Sequence, residues 1–127
     1  MKGVIKIAEY YAIPGGGRPY SEAVKAGNTL YVSGQVGIDK ETGTFPAEIE
    51  KQIALVLDNL KGVLERHGYT VDDIVKVSVL LTDIADAPVF NELYVKAFPN
   101  HLPARTLTGI KLVGDAKLEL DAIAYKD

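Results

Sequence analysis

The chain has 127 residues and a mass of 13.7 kDa, which suits one domain spanning residues 1–127 and is too little for two. Its 47% hydrophobic content excludes disorder, and a net charge of −3 with singly scattered basic residues gives no support to nucleic-acid binding. The absence of cysteine excludes thiol nucleophiles, thiolate metal sites and disulfide bonds.

The amino-terminal part of the chain alternates strand and turn signals. We predict strands at about Val4 to Ala8, Glu22 to Ala26 and Leu30 to Val36. The glycine-rich stretch Pro14–Pro19 follows the first strand, and Gly27–Asn28 is predicted to form the tight turn of a hairpin. We interpret Asp39–Thr44 as a polar turn.

A long amphipathic helix is predicted from Pro46 to His67. Its apolar residues recur at spacings of three and four, which is the period of one buried helix face. They are Ile49, Ile53, Val56, Leu57, Leu60, Val63 and Leu64. Pro46 and Gly68 stand where helices prefer to begin and end.

The rest of the chain adds three strands and a second helix. Apolar residues at alternate positions predict a strand whose buried side carries Val75, Val77, Val79 and Leu81. A helix is predicted from about Ala87 to Phe98, with Phe90, Leu93, Tyr94, Ala97 and Phe98 as its apolar stripe. Two final strands are predicted at about Arg105 to Ile110 and Lys117 to Tyr125. The order β-β-β-α-β-α-β-β indicates an α+β fold with a mostly antiparallel or mixed sheet.

Two helices can cover only one face of a six-stranded sheet. Strand alternation assigns a mixture of apolar and charged residues to the other face. They are Tyr31, Ser33, Gln35, Leu80, Glu119, Asp121 and Ile123. This mixture is typical of an oligomer interface that contains a pocket. A solvated sheet face with a few stray apolar residues is the alternative.

Several possible chemical motifs have simpler explanations. The glycine run Gly15–Gly17 lacks the Lys-Ser/Thr that follows in a phosphate-binding loop. His67 and His101 lack metal-ligand spacing, so we expect cap or surface positions and no metal site. Ser33 is not in a nucleophile-elbow pattern, and we interpret its hydroxyl as structural.

Arg105 and Glu119 are the strongest candidates for chemistry. Each lies in a predicted strand among apolar neighbours. A guanidinium is shaped for bidentate recognition of a carboxylate, and a carboxylate in a partly dry pocket can act as a general base or acid. The two strands are predicted to form a hairpin, which could bring both residues into one pocket. A structural salt bridge between neighbouring strands is the alternative interpretation.

Four short motifs occur in order at Ser33–Gln35, Asn91–Tyr94, Pro103–Thr106 and Lys117–Ala124. Together they closely resemble the RidA (YjgF) family of reactive-intermediate deaminases, and the resemblance extends over almost the whole chain. It implies a chorismate-mutase-like α+β fold with a six-stranded mixed sheet and two helices on one face. It also implies a homotrimer with clefts between subunits.

The resemblance further implies an activity. Family members hydrolyse enamine and imine intermediates, such as 2-iminobutanoate and 2-iminopropanoate, to 2-oxo acids and ammonia without a cofactor or metal. By the same resemblance Arg105 would bind the substrate carboxylate, and Glu119 would orient or activate the attacking water. The positions that would line or support the cleft are Tyr20, Ser33, Asn91 and Leu107.

The chain departs from the common family pattern at several of these places. Arg18 stands where glycine is common, Glu22 where glutamine is common, and Gly37 where proline is common. Leu107 occupies a position that is frequently cysteine. These departures leave the preference for a particular substrate side chain open.

Two other functions remain as alternatives. The first is a non-catalytic trimer that binds small 2-oxo or amino acids, and the second is an endoribonuclease, against which the acidic composition counts. The segment Met1–Lys6 lacks the features of a signal peptide, and no apolar run approaches the roughly 20 residues that span a bilayer. We therefore expect a cytoplasmic protein with no membrane or nucleic-acid partner.

Overall fold

The computed structural model describes residues 7–127, in which the elements follow the predicted order. The strands are β1 (Glu9–Ala12), β2 (Ser21–Ala26), β3 (Thr29–Val36), β4 (Ile74–Leu81), β5 (Ala104–Gly109) and β6 (Leu118–Tyr125). The helices are α1 (Ile49–Arg66) and α2 (Ala87–Ala97).

The first strand lies later in the chain than the sequence predicts. Most of the predicted strand Val4–Ala8 falls outside the described residues, and its remainder, Ile7 and Ala8, is not in a strand. Strand β1 pairs with β2 from Glu9 opposite Lys25 onward. Strand β2 ends at Ala26, one residue beyond Lys25, so the pairing can extend little further toward the amino terminus.

The six strands form one mixed sheet in the order β1-β2-β3-β6-β4-β5. All neighbours are antiparallel except β4 and β5, which are parallel. Helix α2 connects β4 to β5, as parallel neighbours require a crossover connection. Strand β6 lies between β3 and β4, so the predicted hairpin of the last two strands is wrong.

Helix α1 supplies much of the core beneath the sheet. Its fully buried residues recur at helical spacing, as the sequence predicts, and include Ile53, Val56, Leu60 and Leu64. Burial of each such side chain contributes roughly 1.5–3 kcal/mol. Within residues 7–127, no helix is long and apolar enough to cross a membrane.

Gln52 is a buried polar residue that fixes α1 to the start of β6. Its side chain is almost fully buried, and its amide nitrogen donates to the carbonyl oxygens of Pro46 at 2.8 Å and Asp115 at 3.2 Å. Its amide oxygen accepts a hydrogen bond from the backbone N–H of Lys117 at 2.8 Å. Three backbone groups outside the helices and strands therefore have the Gln52 side chain as a hydrogen-bond partner.

We expect Gln52→Leu to lower the free energy of unfolding by about 2–4 kcal/mol, because it leaves buried polar groups without partners. Urea denaturation followed by circular dichroism measures the loss. The matched control is Lys51→Leu, since Lys51 is the exposed preceding residue in the same helix. Equal stability of the two variants would contradict the assigned role of Gln52.

Strand β4 has the predicted alternation of buried residues except at its first positions. Val77, Val79 and Leu81 are buried as expected, but Val75 is 48% exposed and Ile74 is buried in its place. The register between β4 and β6 shifts between Ile74 and Lys76. This irregularity turns Val75 away from the core.

The sheet face opposite the helices is uncovered within residues 7–127. Its cross-strand pairs include Tyr31 with Ile123, and Leu80 with Glu119. These side chains are half-buried or exposed, as predicted for this face. Gln35 is the exception: a register shift in β3 pairs it with the buried Leu120, so its predicted place on the uncovered face is wrong.

Candidate active site

Arg105 is placed on the helix-covered side of the sheet by the edge strand β5. Its partner on β4 is Val77, which is fully buried, and residues paired across strands share a face. The guanidinium carbon lies 5.0 Å from the ring centroid of Tyr94 and 5.9 Å from that of Phe90. The side chain remains exposed beyond these rings.

The guanidinium of Arg105 makes no ion pair with any carboxylate of residues 7–127. The ion pairs in this part of the chain are Lys51–Glu48, Arg66–Glu22 and His67–Glu22. Its N–H donors therefore stay available for a carboxylate that comes from outside the chain.

Glu119 lies on the uncovered face, near the middle of the sheet. Strand β6 holds it between Val36 of β3 and Leu80 of β4, and the side chain is half-buried. Burial raises the pKa of the Glu119 carboxyl above its ordinary value, and the negative charge of Asp121 raises it further. A carboxylate in this setting is a stronger base than one in water.

Gly34 makes room for the Glu119 carboxylate. A Cβ atom added at Gly34 would lie 2.7 Å from the carboxyl carbon of Glu119, closer than real side chains approach. Because Gly34 has no side chain, the Glu119 carboxyl group can lie directly against the backbone of the Ser33–Gly34–Gln35 segment. The sequence analysis identified Ser33–Gln35 as a motif but did not predict the contact between Gly34 and Glu119.

Arg105 and Glu119 do not share a pocket within one copy of the chain. They project from opposite faces of the sheet, and β4 separates their strands. The predicted hairpin is absent because β6 pairs with β3 and β4, whereas β5 pairs with the other side of β4. The same geometry excludes the alternative of a salt bridge between the two residues inside one copy.

Tyr20 and Ser33 line a cavity of about 360 Å³ beside Gly34, on the β3 side of the molecule. Tyr20 is 54% exposed there. The Ser33 hydroxyl donates to the carbonyl oxygen of Ser21 at 2.6 Å, which agrees with its interpretation as a structural group. Arg18, a departure from the family pattern, lines the same cavity.

Asn91 lies beside Arg105 in a separate cavity of about 240 Å³, which Tyr94 also lines. Its amide oxygen is buried and has no hydrogen-bond partner among residues 7–127. Leu107 packs against the hydrophobic core and does not line this cavity. The six predicted residues therefore do not form one site. Arg105 and Asn91 line one cavity, and Tyr20 and Ser33 line another. Glu119 lies against Gly34 but lines neither cavity, and neither does Leu107.

Glu22, another departure from the family pattern, belongs to the structural framework. Its buried carboxylate accepts hydrogen bonds from Arg66 and His67, and the His67 ring stacks on Tyr11 at 4.1 Å between centroids. Burial alone would raise the pKa of Glu22, but the Arg66 and His67 hydrogen bonds outweigh it and hold that pKa below its ordinary value. This cluster joins β1, β2 and the end of α1.

The aromatic contacts of Arg105 are the feature of the candidate site that the sequence analysis did not predict. Phe90 and Tyr94 were assigned only to the apolar stripe of α2. A β-α-β crossover lays the connecting helix on the strands it joins, so recognising β4–α2–β5 as such a unit would have placed both rings beneath β5. Across residues 7–127, no three His, Asp or Glu side chains are grouped as a metal site would need.

The architecture defines an α+β protein with two helices on one face of a mixed sheet. A family model described as Endoribonuclease L-PSP matches residues 12–126. The RutC family protein PH0854 of Pyrococcus horikoshii is 42% identical over 111 residues, which are 86% of this chain and 88% of that protein. Reactive Intermediate Deaminase A, chloroplastic, of Arabidopsis thaliana is 39% identical over 108 residues, which are 84% of this chain and 58% of that protein.

The same fold occurs in the crystal structure of Escherichia coli TdcF with bound serine. Its TM-score is 0.83 at 35% identity, and the match covers 97% of this chain and 100% of that one. The chain belongs to the Endoribonuclease L-PSP family, which is the RidA/YjgF family that its motifs resemble. A deaminase-type role is supported at the level of this family.

Proposed function

We propose that the protein hydrolyses reactive enamine and imine intermediates, including 2-iminobutanoate and 2-iminopropanoate, to 2-oxo acids and ammonia. The observation that carries the proposal is the guanidinium of Arg105, which lies exposed at the sheet edge without a carboxylate partner among residues 7–127. Such a group is suited to a small substrate that carries a carboxylate.

In the proposed reaction, the imine carbon of the bound substrate adds water. Arg105 holds the carboxylate of the imino acid, and Glu119 accepts a proton from the water as its oxygen bonds to the C=N carbon. The imine nitrogen gains a proton, which gives a tetrahedral intermediate with one hydroxyl and one amino group. The hydroxyl then loses its proton and the amino group gains one, so that the C–N bond breaks, ammonia leaves and the 2-oxo acid forms. An enamine substrate first tautomerises to the imine.

The site needs two copies of the chain, because Arg105 and Glu119 project from opposite faces of one sheet. We propose a homotrimer in which the uncovered face of one copy meets the β5 edge of the next. The partly exposed Tyr31, Leu80 and Ile123 on that face support this assembly, since such residues are stabilised by a partner surface. A native mass measurement that finds a stable monomer would refute the shared site.

Comparison with TdcF supports the class of substrate. The TdcF structure holds serine, a small amino acid with one carboxylate, and its sequence is 35% identical to this chain. An imino acid derived from serine or threonine presents the same carboxylate next to a planar carbon. The relative named Reactive Intermediate Deaminase A supports the same reaction class.

A coupled assay tests the proposal. A threonine or serine dehydratase generates the imine, semicarbazide traps what remains, and the assay reports whether the purified protein accelerates loss of the imine. Acceleration that depends on protein concentration is the expected result. Saturable binding of 2-oxobutanoate with no acceleration would favour the non-catalytic binding protein instead.

The endoribonuclease activity named in the family description is the remaining alternative. With 14 basic against 17 acidic residues, the chain does not have the positive charge that phosphate binding draws on. RNA cleavage that persists through repeated purification and follows the protein peak would support it.

A further inference from the structure

A row of three aromatic side chains follows the buried side of α2. Phe90, Tyr94 and Phe98 recur at intervals of four residues, and all three are nearly or fully buried. Adjacent ring centroids lie 5.3 Å apart for Phe90 and Tyr94, and 4.7 Å apart for Tyr94 and Phe98. Such offset, tilted contacts hold aromatic rings in fixed orientations.

The guanidinium of Arg105 lies against the first two rings of this row. Its carbon is 5.0 Å from the Tyr94 centroid and 5.9 Å from the Phe90 centroid, both within the distance of cation–π attraction. Phe98 belongs to the same row but makes no such contact with Arg105. We call Phe90 and Tyr94 the aromatic shelf.

An aromatic shelf orients an arginine without occupying its hydrogen-bond donors. A carboxylate partner would hold the guanidinium by its N–H edge, which is the edge that a substrate carboxylate must reach. A ring instead attracts the flat face and leaves the N–H edge open. The lack of an ion pair to Arg105 within residues 7–127 fits this arrangement.

The hydroxyl of Tyr94 has no part in the contact. It is buried and makes no hydrogen bond within the described part of the chain, and burial raises the Tyr94 pKa although the Arg105 charge opposes this. Tyr94 is therefore neutral and offers only its ring to the guanidinium. Tyr94→Phe consequently keeps the proposed interaction, whereas Tyr94→Leu removes it.

We propose that Phe90 and Tyr94 are positioning residues that fix the orientation of the Arg105 guanidinium for binding of the substrate carboxylate. The proposal rests on the deaminase function proposed above. It predicts that the shelf affects carboxylate binding more than turnover, because the rings touch Arg105 and not the reacting atoms.

The test measures binding of 2-oxobutanoate by titration calorimetry, together with KM and kcat in the coupled assay. We expect Tyr94→Leu and Phe90→Leu to raise Kd and KM by about 5- to 30-fold with little change in kcat. Tyr94→Phe retains the wild-type values. Phe98→Leu, which makes a cavity in the same row without touching Arg105, stays within about twofold of wild type.

An equal rise in Kd for Tyr94→Leu and Phe98→Leu would overturn the proposal, because it would show a general effect of core packing. NMR of the wild type tests the contact without any variant. The Arg105 side-chain resonances should shift upfield relative to those of the exposed Arg18, and unshifted Arg105 resonances would refute the shelf. A wild type that neither binds 2-oxobutanoate nor hydrolyses imine, yet shows the upfield shift, would refute the proposed function and leave the contact established.

Discussion

Arg105→Ala is expected to lower kcat/KM for imine hydrolysis by at least about 100-fold. The substrate carboxylate loses a charge-assisted, bidentate partner, and each such interaction is worth roughly 1.5–3 kcal/mol per hydrogen bond. The coupled dehydratase assay measures the change directly. Stability should change little, because the guanidinium is exposed and its cation–π contacts with Phe90 and Tyr94 contribute only about 0.5–1 kcal/mol each at exposed sites.

Two variants separate the role of Arg105 from a general effect of charge. Arg105→Lys keeps the positive charge but loses the bidentate geometry, so we expect an intermediate rate. Lys111→Ala removes an exposed positive charge shortly after the same strand and should leave the rate unchanged. If Arg105→Ala clears imine as fast as the wild type does, the proposed mechanism is wrong.

The sequence predicts the order of the elements but not how the strands pair. Alternation of apolar residues shows which side chains of β4 and β6 are buried, but a strand has the same alternation beside a parallel or an antiparallel neighbour. The pairing of β5 with β4 follows from the crossover through α2, and the position of β6 follows from its long-range contact with β3. The β-α-β order is a sequence signal for the first pairing, whereas the pairing of β6 with β3 has no local signal.

Register shifts explain the remaining errors in the predicted fold. Val75 and Gln35 both continue a regular alternation in the sequence, and each lies beside an irregularity that reverses its direction. An extra residue in one strand changes the face of every residue beyond it. Such irregularities depend on the partner strand, so alternation in one strand cannot reveal them.

The sequence identified the candidate residues of the site more successfully than it predicted where they lie in the fold. Arg105 and Glu119 stood out because a charged side chain among apolar strand neighbours is unusual, and both are available for chemistry in the structure. The sequence predicts the uncovered face for Glu119, but the helix-covered face for Arg105 follows only from the pairing of β5 with β4, where Arg105 lies opposite the buried Val77. In the proposed mechanism, this placement divides the site into two parts that two copies of the chain would bring together.

Glu119→Gln is expected to lower kcat by about 10²- to 10⁴-fold, the contribution typical of a positioned general base. Glutamine has the same shape and still fits beside Gly34, but it cannot accept a proton from water. The coupled assay at saturating imine reports the loss. Wild-type turnover by the variant would remove Glu119 from the proposed mechanism.

The same substitution should increase stability at neutral pH. Burial, and secondarily Asp121, raise the folded-state pKa of Glu119, so folding favours its protonated form. The protonated Glu119 carboxyl contributes fully to the free energy of unfolding below the ordinary pKa of glutamate. This contribution is lost as the pH rises through the raised pKa of the folded state. Glutamine is neutral throughout, so Tm of the variant should exceed that of the wild type at pH 7 and converge with it in acid.

Asp121→Asn then tests whether Glu119 sets the pH dependence of catalysis. A base must be ionised, so the wild-type rate should fall in acid as Glu119 becomes protonated. Removing the negative charge of Asp121 removes one cause of the raised pKa, and the acidic limb of kcat should move to lower pH. An acidic limb that stays in place in Asp121→Asn but disappears in Glu119→Gln would mean that burial alone raises the Glu119 pKa. A limb that persists unchanged in Glu119→Gln would assign it to another group and refute Glu119 as the base.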